Sequence, residues 1–273
     1  VHDRATDRRH FPVATVCRGD AQFQAVNSPL SEYAVLSFEY GASLADADRL
    51  FIWEAQFGDF LNGAQVVVDQ FITTAEAKWR IPSALVVALP HGLEGQGPDH
   101  SSARIERLLQ SCANDNIRVA NPSTPANLFH LLRRQVLAPR RKPLFLIAQK
   151  SLLRDRAATS PLADFGASTA FRPVIAPVGV NSARLILCSG KICYALEVAR
   201  REQVRDTVRI ARIEQLYPFP AGEMRALLAA HPRAELAWVQ EEPRNQGAWS
   251  HVRDHINDLA PGRALAFFGR DPM

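Results

Sequence analysis

The sequence predicts an α/β protein of two domains, each a mostly parallel sheet covered by helices on both faces. Three observations carry that prediction. Short apolar runs of strand length alternate with segments of helical period along most of the chain, the pattern that βαβ units leave in a sequence. Between residues 151 and 182 the alternation stops, and Pro161, Pro173 and Pro177 fall in a stretch with no sustained period. With 273 residues, 47% of them hydrophobic, the chain can fill two cores. The predicted division is a lead-in segment at 1–24, a first domain at 25–150, a linker at 151–182 and a smaller second α/β domain at 183–273.

The lead-in is polar and irregular and carries at most one strand, around Phe11 to Val16. A first helix is expected from Ser28 as cap and Pro29 at the first helical position, with Leu30, Ala34 and Phe38 on one face. Glu32 then falls in the first turn, where a carboxylate complements the helix dipole. Leu50 to Glu54 reads as a strand, and Ala55 to Phe60 as a loop entering a helix that carries Val66, Val67, Phe71 and Ile72. Phe57 and Phe60 stand three apart, a helical spacing at which aromatics are more often core than cofactor contacts.

The apolar run Ala84 to Leu89 is a buried strand, and the loop Pro90 to Ser102 leads from it into a helix from Ala103 to Ala113. Strand, glycine-rich loop and helix make a ligand-site geometry, because the carboxyl ends of parallel strands face helix amino termini. This loop holds His91, His100, Glu94 and Asp99. Ile117 to Ala120 and Pro143 to Ala148 are further strands, separated by a helix that Asn121 to Pro125 caps and that runs to Leu137. Beyond the linker come strand Ala183 to Cys188, helix Lys191 to Gln203, strand Val208 to Ile213, and Pro218-Phe219-Pro220 before a helix to Ala230. Strand Leu236 to Gln240, helix Ala248 to Leu259 and strand Leu265 to Phe268 complete the pattern.

A net charge of +4 from 32 Lys and Arg against 28 Asp and Glu is mild and dispersed, so nucleic acid is not an implied partner. The densest basic stretch, Arg133-Arg134 through Arg140-Arg141-Lys142, reads as a solvated helix end, with an anion or nucleotide effector as the alternative. Cys17, Cys112, Cys188 and Cys193 lack metal spacing and read as ordinary reduced core thiols of an intracellular protein, so no metal ligand is assigned. No run approaches the roughly 18 apolar residues of a membrane span, and no signal peptide is visible. The absence of Met at position 1 suggests a fragment or a processed product.

Common catalytic motifs are missing: there is no phosphate loop, dinucleotide fingerprint, nucleophile elbow or zinc-protease helix. What remains is a carboxylate at one helix start, two aromatics at another and two histidines at a third, all on one sheet edge if the strands are parallel. Together they suit a planar, basic heterocycle.

Several strings are recognisable: Asn27 to Glu32, Ile52 to Phe60, and above all Pro90-His91-Gly92 through Gly95-Gln96-Gly97-Pro98-Asp99-His100-Ser101-Ser102-Ala103-Arg104. With Lys150 to Arg154, Cys188 to Lys191, Arg212 to Pro220 and Gln240 to Pro243, they closely resemble the thiamine diphosphate-dependent first component of the 2-oxoglutarate dehydrogenase complex. The resemblance runs from about Gln24 onward. It implies a transketolase-like pyrimidine-binding domain followed by a smaller transketolase C-terminal-like domain. The activity it implies is oxidative decarboxylation of 2-oxoglutarate in the tricarboxylic acid cycle, with transfer of the succinyl group to a lipoyl carrier.

By the same resemblance, Glu32 hydrogen-bonds the aminopyrimidine ring and favours the imino tautomer whose nitrogen takes the thiazolium proton. Phe60 packs on that ring, with Phe57 one step away, Leu30 as an apolar wall and Gln56 as a further cofactor contact. His100 corresponds to the active-site histidine, and His91 is either a ligand contact or support for the loop. The implied cofactors are thiamine diphosphate and Mg²⁺. The implied partners are a second copy or complementary subunit that completes the site, and the lipoylated acyltransferase component. The location implied is cytoplasmic in a bacterium or the mitochondrial matrix in a eukaryote.

The chain departs from the family at three places. It has no Gly-Asp-Gly motif with a following asparagine, since Gly58-Asp59 is followed by Phe60, so Mg²⁺ and diphosphate are expected on other sequence and the chain alone is expected to have no turnover. Its last residues, Phe268 to Met273, leave the family pattern, and Tyr33 stands where an acidic residue is common. The rival readings are a 2-oxoadipate-type homologue, a β-like subunit of a split 2-oxo acid dehydrogenase, and a non-catalytic truncated interaction module.

Overall fold

Apolar alternation on the central strands determines how the layers stack. In the computed structural model, which describes residues 2–19, 23–46, 48–92, 101–180 and 182–273, every residue of β2 (Val86–Pro90) is buried. Successive side chains of a strand point to opposite faces. Val87 and Leu89 of β2, with Phe145 and Ile147 of β4 (Leu144–Ala148), accordingly face one core, while Val86, Ala88, Leu144 and Leu146 face another. Leu128, Leu131 and Leu132 of α6 (Pro125–Leu137) cover the second face. The first face joins a larger core with Leu36 and Tyr40 of α2 (Glu32–Ala45) and with Ile105 and Leu108 of α5 (Ile105–Gln110).

The first sheet has the order β1-β2-β4-β3-β8, from β1 (Ile52–Glu54) through β3 (Arg118–Ala120) to β8 (Gln215–Tyr217), and all its pairs are parallel except β3 with β8. The second sheet has the order β10-β9-β6-β7-β5, built from β5 (Val174–Ile175), β6 (Arg184–Cys188), β7 (Val208–Ile213), β9 (Glu235–Pro243) and β10 (Leu265–Arg270). Only its β5–β7 pair is antiparallel. Leu185, Leu187, Leu236 and Trp238 turn toward the core shared with the first sheet. α8 (Ala221–Ala230) and α9 (Trp249–Leu259) contribute Met224, Leu227, Trp249, Val252 and Ile256 to that core. α7 (Ile192–Glu202) covers the opposite face around Cys188, Cys193 and Ile210. Two mostly parallel, helix-covered sheets match the predicted fold class.

Several local expectations are corrected. α2 starts at Glu32, not at Pro29, because Ser31 is the cap and its hydroxyl accepts the Ala34 N–H at 3.4 Å. Its buried stripe is Leu36, Tyr40 and Ser43; Phe38, on the face expected to be buried, is 70% exposed. Residues 58–72 do not form one regular helix. A 3₁₀ segment (Gly58–Ala64) runs into a short α3 (Gln65–Val67) and a π turn (Val68–Ile72), followed by α4 (Ala75–Trp79). This winding buries Leu61, Val67, Val68 and Ile72 and leaves Val66 and Phe71 exposed. β5 lies inside the expected linker, and β8 is an element that the sequence pattern did not announce.

β8 returns the chain to the first sheet immediately after β7, with Glu214 alone between the two strands. Arg134, in the basic stretch expected to be solvated, is half-buried with its guanidinium 4.3 Å from the centre of the Phe171 ring. Lys142 pairs with Glu76 at 2.6 Å, and of the basic residues in the stretch only Arg133 and Arg140 are exposed.

Residues Val1–Leu30 form a unit of their own. It contains an isolated His2–Arg9 bridge, α1 (Pro12–Val16) and a Phe11–Phe23 ring contact at 6.5 Å. A helix replaces the strand considered for Phe11 to Val16, since Pro12 pre-sets the backbone of its first turn.

Candidate functional site

The candidate site lies where the parallel strands of the first sheet end. Ala55 to Phe57 follow β1, His91 and Gly92 follow β2, and Gln149 and Lys150 follow β4. Carboxyl ends of parallel strands are where ligands bind in open α/β sheets. α2 packs against β1 and the Gly58–Ala64 segment, and Ser43 in its last turn meets Ser83, just before β2, at 2.8 Å, so the helix runs back along the sheet and begins, at Glu32, toward the carboxyl edge. Glu32 is half-buried at the first helical position.

The two aromatics meet edge to face, with ring centres 5.8 Å apart at an interplanar angle of 83°. Their placement follows from Gly58. A Cβ there would lie 2.5 Å from the Pro90 carbonyl oxygen and 2.8 Å from the Ala103 Cα, so only glycine lets this turn seat against the end of β2. Buried Asp59 then pairs with the guanidinium of Arg104, and Ala55 donates its N–H to the Ala88 carbonyl at 3.0 Å. Lys150 places its ammonium 5.0 Å from the centre of the Phe57 ring and donates to the Gln56 carbonyl at 2.9 Å. Gln56 therefore meets its neighbour through its backbone, and the residue is exposed.

His91 is buried at the root of the glycine-rich loop. Its N–H donates to the Ala148 carbonyl at 2.7 Å, and its Nδ1 accepts the Ala103 N–H at 3.0 Å. With Nδ1 an acceptor, the proton of the neutral ring sits on Nε2, which donates to Glu242 Oε1 at 2.8 Å. Glu242 lies on β9, 151 positions away. Burial works against its charge, but the bond from His91 and the nearby positive charge bring its carboxyl below the ordinary 4.5. Next to it, Glu241 pairs with Lys191 at 2.7 Å.

The structure thus brings Phe57, Phe60, Gln56 and His91 to one edge, and α2 carries Glu32 to the same side. Leu30 belongs to the separate first unit, where it is 98% exposed. His100 lies outside the described residues; on either side of its segment, Gly92 donates its N–H to the Ser101 carbonyl at 3.2 Å. Asp59, Arg104, Lys150 and Glu242 were missed as site residues. All four stood in strings quoted for the resemblance, but no local pattern ties Asp59 to Arg104 or Glu242 to His91. Among the described residues, no group of three or more His, Cys, Asp or Glu could hold a metal ion. No helix among them is long and apolar enough to cross a membrane.

Two helix-covered, mostly parallel sheets define an α/β protein, and its polar and aromatic groups gather at a carboxyl edge, the place where such sheets bind ligands. Residues 4–156 match the family model described as transketolase, pyrimidine binding domain, and residues 159–273 match that described as 2-oxoglutarate dehydrogenase C-terminal. The chain belongs to the transketolase pyrimidine-binding domain family, continued by a 2-oxoglutarate dehydrogenase-type C-terminal region. It is 49% identical over 280 residues to the 2-oxoglutarate dehydrogenase E1 component of Cupriavidus necator, covering 99% of this chain and 29% of that protein. The proteins of the same description from Rickettsia felis and Brucella anthropi are 48% and 47% identical, covering 95% and 94% of this chain and 27% of each relative. The chain spans less than a third of the length of these curated relatives.

Proposed function

We propose that the chain provides the aminopyrimidine side of a thiamine diphosphate site in a 2-oxoglutarate dehydrogenase, which oxidatively decarboxylates 2-oxoglutarate and passes the succinyl group to a lipoylated acyltransferase component. The observation that carries this reading is the Phe57–Phe60 pair, seated by Gly58 against the end of β2 beside the helix that Glu32 begins. The donor set fits the cofactor: a half-buried carboxylate for a ring N–H and an aromatic face for a planar ring.

In this reading Glu32 accepts a hydrogen bond from the ring nitrogen and holds the proton there, and partial burial strengthens that bond. Phe60 supports the ring, with Phe57 braced beneath it by Lys150. When bound, thiamine diphosphate supplies the electron sink that decarboxylation of a 2-oxo acid requires. His91 supports the loop, and the substrate role is assigned to His100 on the resemblance alone. Residues 25–150 serve as the pyrimidine-binding domain and 183–273 as the C-terminal domain, with β8 lent to the first sheet.

Mg²⁺ and the diphosphate are held by other sequence, either a complementary subunit or a second copy with further residues. The test combines the chain with the polypeptide supplying the remaining length of the relatives, in thiamine diphosphate and Mg²⁺. Decarboxylation of 2-oxoglutarate is expected from the mixture and none from the chain alone. An inert mixture, or turnover by the chain alone, contradicts the reading.

A further inference from the structure

We propose that Glu242, on the second sheet, is a positioning residue for the aromatic platform on the first. The inference rests on the cofactor reading above for what the platform does, and on an unbroken series of contacts for how Glu242 reaches it. Glu242 Oε1 accepts from His91 Nε2 at 2.8 Å, and His91 Nδ1 accepts from the Ala103 N–H at 3.0 Å. Ala103 abuts Gly58 so closely that a Cβ on Gly58 would lie 2.8 Å from its Cα. The next residue, Arg104, pairs with buried Asp59, which sits between Phe57 and Phe60 in sequence.

The carboxylate does more than fill space here. By accepting from Nε2 it holds the imidazole in the tautomer whose Nδ1 can receive the Ala103 N–H. Without that acceptor the ring can turn or change tautomer, and an N–H at Nδ1 would face the N–H of Ala103. Ala103 would then retreat, and Gly58 packs directly on it. Arg104 adds to the sensitivity of this joint, because its backbone is left-handed at φ 52 and non-glycine residues need support there.

A second bond, from the loop after β9 to α5, provides the control. Glu106 Oε2 accepts the Gly247 N–H at 2.9 Å; Gly247 packs beside Glu242, but this bond is not one of the contacts that lead from Glu242 to Gly58. Loss of either bond loosens the joint between the sheets, whereas only loss of the Glu242 bond should reach the platform.

The experiment uses the assembled enzyme and measures kcat and the KM for thiamine diphosphate and for 2-oxoglutarate separately. Glu242→Ala is expected to raise the cofactor KM by about tenfold or more, the scale of a small misplacement, with the 2-oxoglutarate KM little changed. Glu242→Gln restores the cofactor KM, since its amide carbonyl still accepts from Nε2. Glu106→Ala leaves it at the wild-type value. Should Glu242→Ala fail to fold, Glu242→Asp, one methylene shorter, is expected to share the raised cofactor KM.

A cofactor KM within about twofold of wild type in the folded Ala or Asp variant overturns the proposal, as does an equal rise in Glu106→Ala. Amide exchange at Phe60 and Ala103 in the same assembly, without cofactor, separates the two levels of inference. Faster exchange in Glu242→Ala in an assembly that binds no cofactor upholds the tether and rejects the cofactor reading. Unchanged exchange rejects the tether whatever the cofactor does.

Discussion

Glu214 accepts two hydrogen bonds from Ser123 across 91 positions of sequence, one from its backbone N–H at 2.7 Å and one from its hydroxyl at 2.6 Å. Asn127 adds a third at 2.9 Å, so the carboxylate at the junction of β7 and β8 holds the start of α6. Glu214 is wholly buried, and removing it takes the acceptor from three hydrogen bonds in the interior. Glu214→Ala is expected to lower the unfolding free energy by about 3–5 kcal/mol, read by urea denaturation. A loss under about 1 kcal/mol would show that the junction does not depend on it.

Two buried carboxylates give opposite pH dependences. Burial lifts Glu214 above 4.5 despite its bonds from Ser123 and Asn127. Its contribution to stability is fully present below 4.5 and is lost as pH rises through the folded value. Glu242 lies below 4.5, so its contribution is present above 4.5 and lost as pH falls through the folded value. The Tm advantage of wild type over Glu242→Gln should therefore shrink as pH is taken below 4.5. An advantage that is constant or grows on acidification contradicts this sign.

Gly58→Ala tests the seat of the aromatic pair. The new methyl group would meet backbone atoms of Pro90 and Ala103 at 2.5 and 2.8 Å, and neither can rotate away. A destabilisation of about 1–3 kcal/mol is expected in urea denaturation, together with weaker thiamine diphosphate binding in the assembled enzyme. Wild-type stability and affinity would mean that the turn tolerates a Cβ.

The thiols differ sharply in availability. Burial raises the Cys112 thiol to about 12 and the Cys193 thiol to about 11, and Cys188 is wholly buried and also raised. Half-buried Cys17 lies in the first unit. A disulfide reagent near pH 8 should therefore modify Cys17 rapidly in the native protein, half-buried Cys112 more slowly because its thiol is raised, and buried Cys188 and Cys193 only on unfolding. Fast reaction of two or more thiols would contradict this.

How much of this was legible in the sequence depended on how local its cause was. β2 was readable because a strand buried on both faces is a continuous apolar run, and α6 because Thr124 and Pro125 are local start signals. The start of α2 was misplaced because Ser28-Pro29 and Ser31 offer two caps three residues apart, and the helix uses the second. Its buried stripe was misjudged because Leu30, Ala34 and Phe38 repeat at helical spacing as well as Leu36 and Tyr40 do, and period alone cannot choose a face. The 3₁₀ and π windings around Phe60 have no 3.6 period to detect. β8 is three residues long, with partners almost 100 positions away, and the Glu242–His91 bond spans 151. Those features come from tertiary packing, which no window of sequence contains.

Glu32 bears the central claim, and one substitution tests it. In the enzyme assembled with its diphosphate-binding polypeptide, thiamine diphosphate and Mg²⁺, Glu32→Ala should cut 2-oxoglutarate decarboxylation by at least about a hundredfold while the chain stays folded. A folded Glu32→Ala enzyme that turns over at the wild-type rate would contradict the account.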